Sequence, residues 1–354
     1  MEFNGTLSRD EIDNLSTVYL VFLTPSLVGS FSVLVVSIVK WRHLKEQVQP
    51  LMQLALADLL AALILMFTSA MNKVGNFSSS VAVCQQALPL SLTFYLISFL
   101  LVAVYAWKSK NTNQGWRARP GEDELEQSQC RRRIVAVPVY AIVWLIPIAV
   151  YLAYVLTPYM KEALLFPTND GSVKEIVVDD SKYCTSCILF LHIWSDPCSD
   201  AEIVHDTFIR VFLFIVVIPV LLSCSVIYSK VGRWYQRQEQ EGLFAVEGDA
   251  RSRRRLKRVL STARNMVMVI LFCWAPALVL VVLATVTAWT TLQQHSLFGF
   301  YILQAATVSL QGFLNSMVYA WSRPNFTEAV LGENTPLMAH NRQAYFEESL
   351  RTTS

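Results

Sequence analysis

Of the 354 residues, 54% are apolar and only 16% are charged, against about 25% charged in an ordinary soluble chain, and mean hydropathy is +0.40. That balance excludes a soluble globular domain and predicts an integral membrane protein. The net charge of +2 is uninformative as a total, because basic and acidic residues are segregated between loops.

Residues 1–16 are polar and acidic, with Glu2, Asp10, Glu11 and Asp13 against Arg9. They lack the basic start and small-residue cleavage site of a removed signal peptide. They are read as an extracellular N-terminus followed by an uncleaved first span, 17–39. Lys40, Arg42 and Lys45 come directly after that span, which leaves the N-terminus outside by the positive-inside rule.

Further apolar stretches at 50–70, 84–107, 134–156, 208–229, 265–288 and 297–321 are each long enough to cross a bilayer of about 30 Å as a helix. The expected fold class is therefore an all-α membrane protein, a bundle of seven transmembrane helices with a cytoplasmic C-terminus. Residues 322–354 form the cytoplasmic tail. Neither an internal repeat nor a long low-complexity tract divides the chain.

Loop charges test this topology. The loops expected inside hold Lys108, Lys110, Arg117, Arg119, Arg131 to Arg133 and the basic run from Arg251 to Arg258. The loops expected outside hold only Lys73, Lys161, Lys174 and Lys182, and 157–207 is rich in Asp and Glu. The glycosylation sequons at Asn4, Asn14 and Asn76 also fall outside, whereas the one at Asn325 falls inside.

Four of the seven cysteines, Cys84, Cys184, Cys187 and Cys198, lie on the oxidising side. Two disulfides are the natural reading. Three connectivities are possible; the favoured ones join Cys84 to Cys184 or Cys187, pinning the long acidic loop over the mouth of the bundle, with the other bridge within the loop. Cys130, Cys224 and Cys273 are read as plain reduced residues. All five histidines lie in loops or tail, so no metal cluster is expected at membrane depth. No cofactor or catalytic group is expected either.

Polar residues inside the spans carry the functional signal. Asp58 is the only acid well inside one, and a charge there must be paired, hydrated or neutralised. Gln311 and Asn315 are its expected partners across the bundle, around a water cluster or a sodium ion; the alternative is an acid that only fixes packing. Pro276 follows Trp274 in the sixth span and Pro219 lies in the fifth, each removing a backbone hydrogen bond. Ser91, Tyr95, Tyr301 and Gln304 lie in the outer halves of their spans, where they can line a cavity with Trp274. The basic run from Arg251 suits anionic lipid head groups or an acidic partner protein. Nucleic acid is not an expected partner, since no stretch makes a folded cytoplasmic domain.

These features together resemble a G-protein-coupled receptor of rhodopsin-like architecture. The resemblance rests on Cys84 opening the third span, Leu56-Ala57-Asp58-Leu59-Leu60 in the second, Cys273-Trp274-Ala275-Pro276 in the sixth and Asn315-Ser316-Met317-Val318-Tyr319 in the seventh. It implies a ligand site at Ser91, Tyr95, Trp274, Tyr301 and Gln304. It also implies a switch at Trp274, Pro276, Asn315 and Tyr319, and a G protein or arrestin meeting 108–133 and 230–264. The chain departs from the pattern in two places: Ser316 replaces the expected proline, and Lys108-Ser109-Lys110 stands where such receptors carry an acid-arginine-tyrosine triplet.

A closer resemblance is to the transmembrane protein 116 family, in Phe272 to Ala277, in Tyr301 to Trp321 and in Thr335-Pro336-Leu337. It implies a receptor-like orphan protein. Ser91 stands at the depth where amine receptors carry an aspartate, which disfavours a cationic amine, and no lysine in 297–321 is available for a retinal Schiff base. A small neutral, lipid-like or peptide ligand remains. The competing expectation is a receptor-derived scaffold or trafficking protein that does not couple, supported by the acidic dileucine-like Glu333 to Met338. The expected location is the plasma membrane or endosomal membranes.

Overall fold

The computed structural model describes residues 9–39, 41–74, 80–115, 138–156, 187–190, 265–283 and 297–318, with scattered positions between Val211 and Arg233. Within them the chain is helical: α1 (Arg9–Val39), α2 (Trp41–Val74), α3 (Ser80–Gly115), α4 (Pro138–Leu156), α5 (Asn265–Leu283), α6 (Phe298–Ser309) and α7 (Gln311–Ser316). Helix is what an apolar run must form in lipid, because every backbone donor and acceptor then finds its partner inside the segment. Pro25, Pro50 and Pro89 are accommodated inside α1, α2 and α3. Asp10 and Glu11 sit in the first turn of α1, where a negative charge complements the helix dipole.

Among the described residues, five helices are long and apolar enough to cross a membrane: Asp10–Val39, Pro50–Lys73, Gln86–Tyr105, Pro138–Leu156 and Asn265–Leu283. The helices themselves outrun the expected spans. α1 begins at Arg9 rather than residue 17, α2 begins at Trp41 inside the expected first loop, and α3 continues through Lys108-Ser109-Lys110 to Gly115. Charge marks where lipid ends, whereas Glu, Lys, Gln and Arg are good helix formers and let the helix continue past that edge.

Two expected spans remain, 208–229 and 297–321. Most of 208–229 lies outside the described residues; those that are described are helical, with Val211, Ile215, Leu222 and Val226 exposed and Ile218 half-buried. The last span is divided at Leu310 into α6 and α7. The division has an identifiable cause. The Phe313 amide, which in an unbroken helix donates to the Ser309 carbonyl, donates to Ser26 Oγ at 3.1 Å, and that hydroxyl in turn donates to the Ser309 carbonyl. A side chain from α1 has been inserted into the backbone ladder of a neighbour.

Contacts set the relative directions. Asn72, near the end of α2, donates to Ser16, near the start of α1, at 2.7 Å, so these two helices are antiparallel. α1 runs parallel to α6 and α7, since Tyr19 meets Gln304, Ser26 meets Ser309, and Gly29 meets Ser316. α3 rises with α6 and α7 as well: Tyr95 Oη reaches the Val308 carbonyl at 3.5 Å and Ser98 meets Gln311 at 3.2 Å. The core lies among α1, α2, α3, α5 and α6–α7, with Leu23, Leu65, Leu92, Phe99, Trp274 and Val308 all fully buried.

Candidate functional site

Side chains of α3 and α7 converge on Asp58 of α2, and one from α5 joins them through Gln311. Ser98 Oγ of α3 donates to Asp58 Oδ1 at 2.8 Å, and Gln311 Nε2 of α7 donates to the same oxygen at 3.2 Å. Asn315 Nδ2, one turn further along α7, donates to Oδ2 at 2.7 Å. Gln311 also donates to Ser98 Oγ at 3.2 Å, and its own carbonyl oxygen accepts the indole N–H of Trp274 in α5 at 2.6 Å. Each of these side chains is buried. The expected grouping of Asp58, Gln311 and Asn315 is thus one network, extended by Ser98 and Trp274.

The helical period explains the arrangement. Gln311 and Asn315 are four residues apart and therefore on one face of α7. Gly312, between them, faces α1 and α2: a Cβ built there would lie 2.9 Å from Ser30 Oγ, 3.3 Å from Ser26 Cβ and 3.4 Å from Asp58 Cβ. Only a residue without a side chain lets α7 come close enough for both amides to reach the carboxylate. Gly29 does the reciprocal service on α1, where an added Cβ would lie 3.2 Å from Ser316 Oγ and 3.4 Å from Phe313 Cα. Small residues at such crossings are the usual means by which helices approach in lipid.

Two buried oxygens at the edge of this network are without partners among the described residues. Asn315 Oδ1 and Ser30 Oγ are buried without a hydrogen-bond partner among the described residues. Both belong to residues that border the Asp58 cluster, and both are oxygens.

The residues expected to line an outer cavity are all inaccessible: Ser91, Tyr95, Trp274, Tyr301 and Gln304 are each at most 2% exposed. Ser91 Oγ donates to the Leu88 carbonyl of its own helix at 2.8 Å. Tyr95 and Phe99 both present ring edges to Trp274, with centroids 5.2 and 5.1 Å away. Gln304 Nε2 donates to Tyr19 Oη at 2.9 Å.

What covers this region is a short piece of the loop that follows α4. Cys187 is disulfide-bonded to Cys84 at the head of α3, with 4.9 Å between their Cα atoms. This resolves the choice between Cys184 and Cys187; Cys184 and Cys198 lie outside the described residues, and so does the second bridge expected within the loop. Ile188, Leu189 and Phe190 follow as buried residues, and Phe190 brings its ring to 6.2 Å from Trp274, edge to face. The loop expected over the mouth of the bundle therefore enters it.

Of the remaining expectations, Asn14 is exposed on α1, but Ser16 of its sequon is buried, donating to the Ile12 carbonyl and accepting from Asn72. Asn4, Asn76, Tyr319 and the basic run 251–258 lie outside the described residues. Pro276 is within α5, two residues from Trp274. Cys273 is a buried free thiol.

Tyr19, Ser98, Leu189 and Phe190 were not singled out from the sequence. For Ser98 a signal existed: it lies seven residues, two turns, from Ser91 on the same face of α3. Tyr19 reads as an interfacial aromatic of the kind found at span ends, and nothing local marks Leu189 or Phe190.

Fold and site together define a class, an integral membrane protein of apolar helices that meet on a shared buried carboxylate. The family model of transmembrane protein 116 matches residues 13–346, and the chain belongs to that family.

Proposed function

We propose that this protein is an orphan receptor of the seven-helix, G-protein-coupled-receptor type, with its N-terminus outside and its C-terminus in the cytoplasm. The observation that carries this reading is the continuous chain of hydrogen bonds Trp274–Gln311–Asp58, joined there by Ser98 and Asn315, across α5, α7, α2 and α3. Apart from its packing value, such a chain gives one centre a grip on four helices, so a shift of Trp274 on its outer side is felt by α2, α3 and α7 together. Low dielectric strengthens each bond in it and penalises any partial break, which favours two discrete arrangements over a continuum. Water or a sodium ion at the same centre suits the spare oxygens of Asn315 and Ser30.

The inner end of α3 bears on coupling. Lys108-Ser109-Lys110 replaces the acid-arginine-tyrosine triplet, so engagement of a G protein or arrestin through 108–133 and 230–264 follows an altered route or none. That replacement favours the second reading, a receptor-derived scaffold or trafficking protein of endomembranes. A G-protein dissociation and arrestin recruitment assay on wild type and on the combined Lys108→Asp, Ser109→Arg, Lys110→Tyr variant separates the two. Activity in wild type supports the receptor. Activity gained only in the variant supports a bundle that has abandoned coupling, and activity in neither removes the receptor reading.

A further inference from the structure

The outer region above Trp274, where an orphan receptor's ligand would be sought, is occupied by the chain itself. We propose that Ile188-Leu189-Phe190 is a tethered ligand of this site, held in it by the Cys84–Cys187 disulfide and recognised as a short apolar peptide ending in an aromatic ring. The inference deepens the receptor reading by naming the ligand class of the site, and rests on that reading only for the word receptor.

Three independent contacts carry it. Cys187 is bonded to Cys84 at the head of α3, so the segment enters from a fixed point. Tyr19 Oη of α1 lies 3.4 Å from the Leu189 carbonyl in donating geometry and 3.2 Å from Gln304 Oε1, and it accepts from Gln304 Nε2 at 2.9 Å. A backbone carbonyl of the segment is thus read by a hydroxyl that α6 holds in position. The Phe190 ring meets Trp274 edge to face at 6.2 Å, the same kind of contact Tyr95 and Phe99 make from α3. Phe190 therefore completes an aromatic enclosure around the indole whose N–H enters the Asp58 network.

The burial is what a ligand would have rather than what a loop has. Ile188 and Leu189 are 3% and 1% exposed and Phe190 is 9% exposed, whereas connecting segments ordinarily run over the surface. Phe190 adopts φ 65°, a left-handed backbone that bulky residues rarely take and that persists when surrounding contacts over-determine it. A covalent tether keeps such a ligand at high effective concentration, so its contacts need not be strong singly to keep the site filled.

The chemistry follows. The site offers one hydroxyl donor for a carbonyl, from Tyr19, and the indole of Trp274 for a ring. It suits an uncharged acyl-phenylalanine amide, and an outside ligand of the same class must displace the tether.

The test uses the full chain purified in lipid nanodiscs, with N-acetyl-phenylalanine amide at millimolar concentration as probe and the melting temperature as readout. Phe190→Ala is expected to lower the melting temperature and to recover most of the loss saturably when the probe is added, while wild type is unmoved by it. If Phe190→Ala does not fold, Phe190→Leu, which keeps apolar volume but lacks the ring, is put through the same comparison. Tyr19→Phe in the wild-type background is expected to lower the melting temperature by removing the donor to the Leu189 carbonyl. Equal stabilisation of wild type, or no probe-dependent stabilisation of either Phe190 variant, overturns the proposal. No G protein enters the measurement, so failure here leaves the receptor reading standing, and a silent signalling assay leaves this one standing.

Discussion

α3 and α4 are both apolar enough to cross a membrane, yet they occupy opposite situations. α3 buries Cys84, Leu88, Ser91, Leu92, Thr93, Tyr95, Ile97, Ser98 and Phe99. α4 buries only Tyr140, Val143 and Pro147, and exposes Ile142, Leu145, Ile146, Val150, Leu152 and Leu156. It touches α3 through Trp144 against Phe94, ring centroids 6.3 Å apart, and through Tyr151 Oη to the Gln86 carbonyl at 3.4 Å. Hydropathy does not distinguish the two, but polar content does. Between Pro138 and Leu156 there is no Ser, Thr, Asn or Gln, whereas α3 carries Ser91, Thr93 and Ser98 within its apolar stretch. In lipid an apolar side chain is as well solvated outside the bundle as inside, so apolarity decides that a helix inserts and polar groups decide which helix is drawn to the centre.

The strongest break in that comparison is Leu92→Ala. Lipid solvates the removed methylenes in any state, so only lost packing counts, and we expect a destabilisation of roughly 2 kcal/mol from the cavity left in the core. Thermal unfolding in nanodiscs measures it. A value near zero would mean that the centre of the bundle is as forgiving as its lipid-facing side.

Ser26→Ala weighs a polar contact against that apolar one. Losing the inserted hydroxyl leaves the Phe313 amide and Ser309 carbonyl to find each other by straightening the last span, so the expected cost is about 1 kcal/mol. The same unfolding measurement gives the cost. Hydrogen exchange at the Phe313 amide reports whether the ladder has closed, and unchanged exchange together with unchanged stability would deny Ser26 its part in dividing α6 from α7.

The smallest effect belongs to Ile146→Ala on α4. Its side chain is 57% exposed, and the substitution is expected to stay within about 0.5 kcal/mol of wild type. A larger loss would reveal a protein partner on the α4 face in place of lipid.

Much of the candidate site was legible from residue type alone. An acid and two amides inside apolar spans have few places to go in lipid, so Asp58, Gln311 and Asn315 could be paired before any helix was positioned. The Cys84 bridge was legible to within one choice, because sorting cysteines by side left few combinations. Helix ends were less legible: the residues at 41–49 and 108–115 are charged or polar but helical, and charge composition reports the water boundary, which is not where a helix must stop. The division at Leu310 was not legible at all. No proline lies beside Leu310, the nearby Gly312 serves the approach of α7 to α1 and α2, and the cause of the division is a serine 284 positions earlier in the chain.

The sequence by itself determined that this is an integral membrane protein of apolar helices, that it belongs with the transmembrane protein 116 family, and that one carboxylate would sit at the heart of the bundle. These follow from composition and local chemistry, which act wherever the chain goes. Only the tertiary structure decided that Ser98 and Trp274 complete the carboxylate's network, that α4 stays at the rim, and that Ile188, Leu189 and Phe190 fill the space above Trp274. Those outcomes depend on which surfaces meet. A helix of period 3.6 offers every side chain a direction, but only a neighbour at the right distance, admitted here by Gly29 and Gly312, turns that direction into a contact.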